Sequence, residues 1–218
     1  MISQHMTIAE AVKNNPDIIN PLSEYGIDYC CEGAKKLSDA MKVNNIDPDI
    51  IITQLNNVRD PDTNLDFKKA LRMDRPEDKK KLIAHIIKHH HRLEEKLLSE
   101  IGEYLPILLR VHYEEHSDEL SRLYKKFSQL NAELTVHLAN EERAEFQRIL
   151  EDEDFDRSTM LAEHDIIAGL LHDVKRMTND FTPPPDCCQT YELAFARLKE
   201  LYEDIHQHFF LENNILFV

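Results

Sequence analysis

Apolar residues recur at three- and four-residue intervals along most of the chain, which is the spacing of one buried face of an α-helix. No segment shows the alternation of apolar and polar residues that indicates a half-buried strand. Acidic and proline-rich connections, expected at 152–156 and 181–186, separate the later helical segments. The pattern therefore predicts an all-α protein built on an antiparallel four-helix bundle. The four expected helices are 78–103, 115–150, 158–179 with Ser158 or Thr159 as its cap, and 188–217.

The amino-terminal part of the chain has shorter apolar groups interrupted by prolines. Thr7 and Glu10 have the spacing of a capping box at the start of a short helix. Asp47 can cap a helix that begins at Pro48, and a further short helix is expected over 34–42. We therefore expect a small helical domain at 1–58, a linker at 59–77 and the bundle at 78–218.

Composition and charge narrow the classes of partner. The formal net charge of -15 and the pI near 5.2 argue against a nucleic-acid partner or an anionic membrane surface. No apolar run approaches the roughly 18 residues of a membrane span, and no signal peptide is recognisable. The four cysteines form two adjacent pairs, which is not the spacing of a disulfide framework. We expect a cytoplasmic protein with reduced thiols.

Two sequence motifs have the spacing of metal ligands. His137 and Glu141, and again His208 and Glu212, are four residues apart, so each pair shares one helix face. Imidazole and carboxylate ligands together suit a pair of iron ions with open coordination positions, whereas a structural zinc site is saturated by four ligands. Further histidines on the other two helices are His164 and the cluster His85, His89, His90 and His91.

Other interpretations of these residues remain open at this point. Either motif alone is equally well explained as an exposed helix-stabilising pair. His164 alone is weak evidence for a metal site. In the histidine cluster, helical periodicity favours His90 as the inward-facing residue. A ferritin-type site requires two Glu-x-x-His motifs, and the chain has one, at Glu203 and His206.

Several longer strings resemble a known family, the iron-sulfur cluster repair di-iron proteins, also called the RIC family. The resemblance covers nearly the whole chain, and the proline triplet together with the Leu-Glu-Asn-Asn string is difficult to obtain from bundle physics alone. The matching strings are Tyr25-Gly-Ile-Asp-Tyr-Cys-Cys-Glu-Gly33, His85-Ile-Ile-x-x-x-His91, His137-x-x-x-Glu141, Glu163-His164-Asp165, Thr182-Pro-Pro-Pro185 and His208-x-x-Leu-Glu-Asn-Asn214.

The resemblance implies a hemerythrin-like four-helix bundle that holds two iron ions. It favours His91 over His90, and makes Glu141 and Glu212 the bridging ligands. It also implies roles for Cys30 and Cys31 as reactive thiols, and it matches His112 and Cys188 without assigning them a role. Glu133 and Glu163 are expected near the iron, with a surface salt bridge as an equal alternative for Glu133. The implied iron ligands are His91, His137, Glu141, His164, His208 and Glu212.

The function implied by the resemblance is the repair of iron-sulfur clusters damaged by nitric oxide or peroxide, by supplying iron. The implied partners are damaged iron-sulfur proteins, nitric oxide or oxygen as small ligands, and a second copy in a homodimer. A gas carrier or sensor and a nitric oxide reductase are the alternatives. The chain departs from the family pattern at Glu32, at Glu94, where a histidine is common, and after Val218.

Overall fold

The computed structural model describes residues 1–44, 46–59, 64–151, 155–185 and 187–218. Across these ranges the elements are helices, with no strand among them. The backbone of Thr7 and Lys36 forms an isolated antiparallel bridge. The prediction of an all-α helical protein is therefore confirmed. Residues 60–63, 152–154 and 186, which are parts of the expected linker and connections, lie outside the described ranges.

Short helices fill the amino-terminal part of the chain, and their starts follow the capping residues. Thr7 accepts a hydrogen bond from the Glu10 amide at 3.1 Å, and the Glu10 carboxylate accepts from the Thr7 amide at 2.8 Å, which completes the expected capping box. Asp47 caps the fourth helix through the Asp49 amide, as expected. The helices are α1 (Ile8–Asn14), α2 (Ile19–Glu24), α3 (Leu37–Val43), α4 (Pro48–Asn57) and α5 (Leu65–Ala70).

Helix α5 lies inside the range that we expected to be a linker. Its Phe67 side chain is fully buried and meets the Phe210 ring edge-on, with the ring centroids 5.9 Å apart. The Asn64 side chain caps the helix by accepting a hydrogen bond from the Asp66 amide. Periodicity does not reveal a helix of this length, because it spans fewer than two turns.

The longer helices follow in the rest of the chain, and the described residues include three turns of π-helix that interrupt or extend them. The prediction of four long helical segments holds. Three of these segments contain more than one element, and the segment 158–179 contains a single helix. The α-helices are α6 (Lys79–Ile86), α7 (Arg92–Val111), α8 (Tyr113–Asn140), α9 (Phe146–Glu151), α10 (Ser158–Met177) and α11 (Gln189–Leu211). The π turns are Ile87–His91, Glu141–Glu145 and Glu212–Leu216.

The chain divides into two compact units, and the first of them is made of two separate stretches of the sequence. The first consists of Met1–Ile83 together with His206–Val218, and the second is Ala84–Ile205. Within the second unit, α8 contacts both α7 and α10. An ion pair of 3.0 Å between Lys126 and Asp173 joins α8 to α10. Another, of 2.7 Å between Arg197 and Glu100, joins α11 to α7.

Two expected helix ends were wrong. The helix expected to end at 103 continues to Val111 and includes Pro106, because Leu105 and Leu108 extend its buried face. Neither Ser158 nor Thr159 caps α10. Its cap residue is Arg157, and the Asp156 carboxylate accepts a hydrogen bond from the Ser158 amide at 2.9 Å instead. This bond stabilises the carboxylate, so the pKa of Asp156 lies below its ordinary value.

None of the helices in the described ranges is long and apolar enough to cross a membrane.

Candidate metal centre

Four of the six residues expected to bind iron lie together in the second unit. His91, His137, Glu141 and His164 each have at most 1% of their surface exposed. They come from four elements: the π turn Ile87–His91, helix α8, the π turn Glu141–Glu145 and helix α10. Ionisable side chains are rarely buried unless they are paired or bind a metal. The cluster is therefore a candidate metal site.

The Glu141 carboxylate lies between different histidines. Its Oε1 atom is 3.3 Å from Nε2 of His137 and 3.9 Å from Nε2 of His164. Its Oε2 atom is 3.4 Å from Nε2 of His91. Oε1 thus faces two imidazole nitrogens, and Oε2 faces a third. This is the arrangement in which one carboxylate can bridge two metal ions.

Neighbouring carboxylates fix the orientation of two of these imidazole rings. Nδ1 of His91 is 2.9 Å from Glu142, and Nδ1 of His137 is 2.8 Å from Glu163. When Nδ1 carries the proton and donates a hydrogen bond to the carboxylate, Nε2 is left as the basic nitrogen. Each ring is therefore held with its Nε2 directed towards Glu141.

The two orienting carboxylates differ in acidity. Burial raises the pKa of Glu142, but hydrogen bonds from His91 and Arg92 outweigh it, so the pKa lies below its ordinary value. At Glu163 burial is the largest effect and raises the pKa. The charge of His164 lowers this pKa, but the negative charge of Glu133 partly offsets that lowering. Glu133 itself is exposed on α8.

The remaining pair of expected ligands lies in the first unit. His208 is in the last turn of α11 and Glu212 begins the π turn that follows. Both are fully buried, and Nε2 of His208 is 3.2 Å from Oε1 of Glu212. The four-residue spacing thus places the imidazole and the carboxylate side by side, as the sequence motif predicts.

Each of the three π turns contains one expected ligand at its edge. His91 ends the first turn, Glu141 begins the second and Glu212 begins the third. A π turn has about one residue more than an α-helical turn, so it rotates the side chains that follow. This explains why a count of 100° per residue favoured His90. His90 is also buried, but its Nδ1 contacts Asp204 at 3.0 Å.

The donor atoms are suitable for a pair of metal ions. Metal–ligand bonds of about 2.0–2.2 Å hold ligand atoms about 3–4 Å apart, and the contacts between imidazole nitrogen and carboxylate oxygen range from 3.2 Å to 3.9 Å. A mixed set of nitrogen and oxygen donors suits iron, manganese or zinc. The chain thus has buried clusters of histidine and glutamate that are suitable for a two-metal site.

The two adjacent cysteines form a tight turn in the first unit. Oδ1 of Asp28 accepts hydrogen bonds from the amides of Cys30 and Cys31, each at 2.9 Å. The two Sγ atoms are 3.4 Å apart. The hydrogen bond with Cys31 and burial raise the pKa of the Cys30 thiol well above its ordinary value. The Cys30 carbonyl accepts hydrogen bonds from Asn213 and Asn214 at 3.2 Å and 3.0 Å.

The structure adds residues that the sequence motifs did not indicate. Glu142 follows a proposed ligand in an acidic run, so nothing in the sequence distinguishes it from a solvated glutamate. Asp28 could have been recognised, because aspartate often accepts from amides two and three residues ahead. His112, left without a role above, lies with its Nε2 3.3 Å from Sγ of Cys188.

Comparison with known proteins agrees with this geometry. Residues 81–218 match the family model described as the hemerythrin HHE cation binding domain. The fold and the site therefore define a hemerythrin-type metal-binding protein. Residues 4–59 match the ScdA_N model, described as a domain of unknown function (DUF542).

Relatives match the chain from end to end. The iron-sulfur cluster repair protein ScdA of Staphylococcus haemolyticus is 27% identical over 226 residues, covering 100% of this chain and 98% of the relative. The iron-sulfur cluster repair proteins YtfE of Escherichia coli O81 and Escherichia fergusonii are 31% identical over 198 residues, covering 89% of this chain and 86% of each relative. The chain belongs to this family of iron-sulfur cluster repair proteins.

Proposed function

We propose that the protein repairs iron-sulfur clusters damaged by oxidative or nitrosative stress, and that it does so by supplying iron from a two-iron centre. The observation that carries the proposal is the position of Glu141, whose two oxygens face different buried histidines. The family membership supports it, because ScdA and YtfE, which the chain matches over most or all of its length, are named as cluster repair proteins.

We assign six ligands to the two ions. Glu141 and Glu212 would hold both ions, and the histidines would complete their ligand sets. The residues that would hold the ions are those that the family resemblance implies, namely His91, His137, Glu141, His164, His208 and Glu212. When bound there, iron supplies both an exchangeable ion for repair and a redox couple at neutral pH.

The residues of this chain account for retention and release of the iron that is delivered. Carboxylates bind metal ions in several modes, to one ion or to two, so Glu141 would hold iron in a way that permits its release. Glu142 and Glu163 hold His91 and His137 in place. Glu163 on α10 and Glu133 on α8 provide carboxylates along which iron or protons can approach the two-iron centre.

We further propose that Cys30 and Cys31 act as thiols in repair, by coordinating the iron that is transferred or the damaged cluster itself. Thiolate sulfur is a strong iron ligand, and the two Sγ atoms are 3.4 Å apart. Cys31 is half-buried and Cys30 is buried. Binding of iron would displace the Cys30 proton, which the raised pKa otherwise retains.

The partners follow from the chemistry and charge. Damaged iron-sulfur proteins are the substrates, and nitric oxide or oxygen are candidate small ligands. The charge of -15 disfavours nucleic acid. We propose that the protein acts in the cytoplasm, where thiols stay reduced, and that it forms a homodimer.

The ligand assignment is tested by the His137→Ala substitution. It removes one of the six proposed ligands, so we expect the iron content to fall from about two ions per chain to one or none. We also expect reactivation of a damaged iron-sulfur hydratase to be lost. His172→Ala removes an exposed histidine of α10 and should change neither. Two ions per chain and full reactivation in the His137→Ala variant would contradict the proposed function.

The cysteine turn distinguishes repair from simple gas binding. The Cys30→Ser, Cys31→Ser double variant should keep its iron and its binding of nitric oxide but lose most of its hydratase reactivation. Cys187→Ser is the control, since it changes a thiol of the second unit. Unchanged reactivation in the double variant would remove the thiols from the mechanism. Sustained turnover of nitric oxide to nitrous oxide by the wild type would instead identify a reductase.

A further inference from the structure

A second group of potential ligands is buried in the unit Ala84–Ile205, outside the proposed two-iron centre. The exposed fractions of His90, Glu94 and Asp204 are 1%, 0% and 6%. Nδ1 of His90 is 3.0 Å from Oδ1 of Asp204. One ligand atom from each of the three side chains lies within 4.8 Å of the other two.

This group is separate from the ligands assigned above. His90 and His91 are consecutive in the π turn, yet they have different partners. His91 contacts Glu141 and Glu142, whereas His90 contacts Asp204 on α11. Glu94 is one helical turn beyond His90 and shares its face. The repair function proposed above uses none of these three side chains.

Electrostatics favours a cation at this position. The two carboxylates of the group carry a formal charge of -2 when both are ionised. Removing carboxylates from water is costly unless charges of opposite sign compensate. A divalent cation would cancel both charges.

The spacing and chemistry of the donors define the kind of cation. Atoms bound to one metal ion at about 2.0–2.2 Å are about 3–4 Å apart. Nδ1 of His90 and Oδ1 of Asp204 are 3.0 Å apart, and the three ligand atoms lie within 4.8 Å of one another. One nitrogen and two carboxylate donors suit Fe²⁺, Mn²⁺ or Zn²⁺ and not Cu⁺, which prefers sulfur. Three protein ligands leave coordination positions for water.

We propose that His90, Glu94 and Asp204 form a third binding site, for a divalent cation of the first transition row. An ion bound there links α7, through Glu94, to α11, through Asp204. It therefore stabilises the packing of these two helices in addition to neutralising their buried charge.

The test counts Mn²⁺ ions bound by metal-free protein, using the electron paramagnetic resonance signal of the free ion. The Glu94→Gln, Asp204→Asn double variant should bind one ion fewer than the wild type, and its thermal unfolding temperature should rise less on addition of Mn²⁺. The matched control is Glu95→Gln, Glu203→Gln, which changes neighbours on the same helices and should bind as many ions as the wild type. Equal counts in the wild type and the Glu94 and Asp204 variant would overturn the proposal.

Two further measurements keep the result interpretable. The His137→Ala variant reports on the two-iron centre, so an unchanged ion count in that variant would indicate failure of the proposed function and not of the third site. Anomalous diffraction from wild-type crystals soaked in Mn²⁺ locates the ions without any substitution. A peak between His90, Glu94 and Asp204 supports the third site, and its absence from crystals with an occupied two-iron centre overturns it.

Discussion

Gly33 shows how closely single residues determine the environment of the cysteine turn. A Cβ atom at this position would lie 1.8 Å from Oδ1 of Asn214. The Asn214 amide group in turn donates to the carbonyls of Cys30 and Phe210, at 3.0 Å and 3.2 Å. A side chain at 33 therefore competes for space with the residue that supports Cys30.

We expect Gly33→Ala to lower the free energy of unfolding by about 1–3 kcal/mol, because the Asn214 side chain must move and lose its hydrogen bonds. Gly102→Ala is the control, since a Cβ there meets nothing within 4 Å. In the interior of α7 that change should stabilise the protein by about 0.5–1 kcal/mol. Chemical denaturation of both variants gives the comparison, and equal stability of the two would contradict the steric argument.

At the level of elements, the sequence predicts the long helices but not the π turns within them. The long helices and the caps at Thr7 and Asp47 could be predicted, because apolar spacing and capping chemistry are local. A π turn depends on hydrogen bonds from residue i to i+5, for which the sequence has no recognised pattern. Periodicity alone therefore favoured His90, whereas the family resemblance favours His91.

The same limit applies to contacts between elements. Helical spacing places His137 beside Glu141, but no local pattern places Glu142 beside His91, which lies on another helix. The ligand motifs were therefore visible in the sequence. Of the carboxylates that orient them, Glu163 was indicated only by the family resemblance and Glu142 was not indicated. Helix α5 was missed for a different reason, since it is too short to show a period.

The contact between the first two π turns is open to test. Glu142→Ala removes the acceptor that orients His91 and one partner of Arg92. We expect affinity for iron to fall by about 10–100-fold, as is common when a carboxylate behind a metal-binding histidine is lost. Competition with a chelator measures the change. Glu114→Ala, an exposed glutamate of α8, should compete as the wild type does, and equal affinity in both variants would rule out an orienting role for Glu142.

For the molecule as a whole, charge and metal binding act on stability together. A net charge of -15 disfavours the compact state through self-repulsion. Buried carboxylates add to this cost wherever the cation that compensates them is lost. Any ion that binds the folded chain more tightly than the unfolded chain therefore stabilises it in proportion to the logarithm of the ion concentration. The supply of the metal ions that the protein binds thus affects the stability of its fold.

The first compact unit joins Met1–Ile83 to His206–Val218, and this has a consequence for the order of folding during synthesis. Cys30 leaves the ribosome early, yet Asn213 and Asn214, which bind its carbonyl, lie 183 and 184 residues later. At about 5–20 residues per second, the cysteine turn waits roughly 10–40 s for these partners. Throughout that interval the Cys30 carbonyl lacks the two hydrogen bonds that it accepts in the folded protein. The cysteine turn therefore reaches its final backbone conformation only after the last residues of the chain have been made.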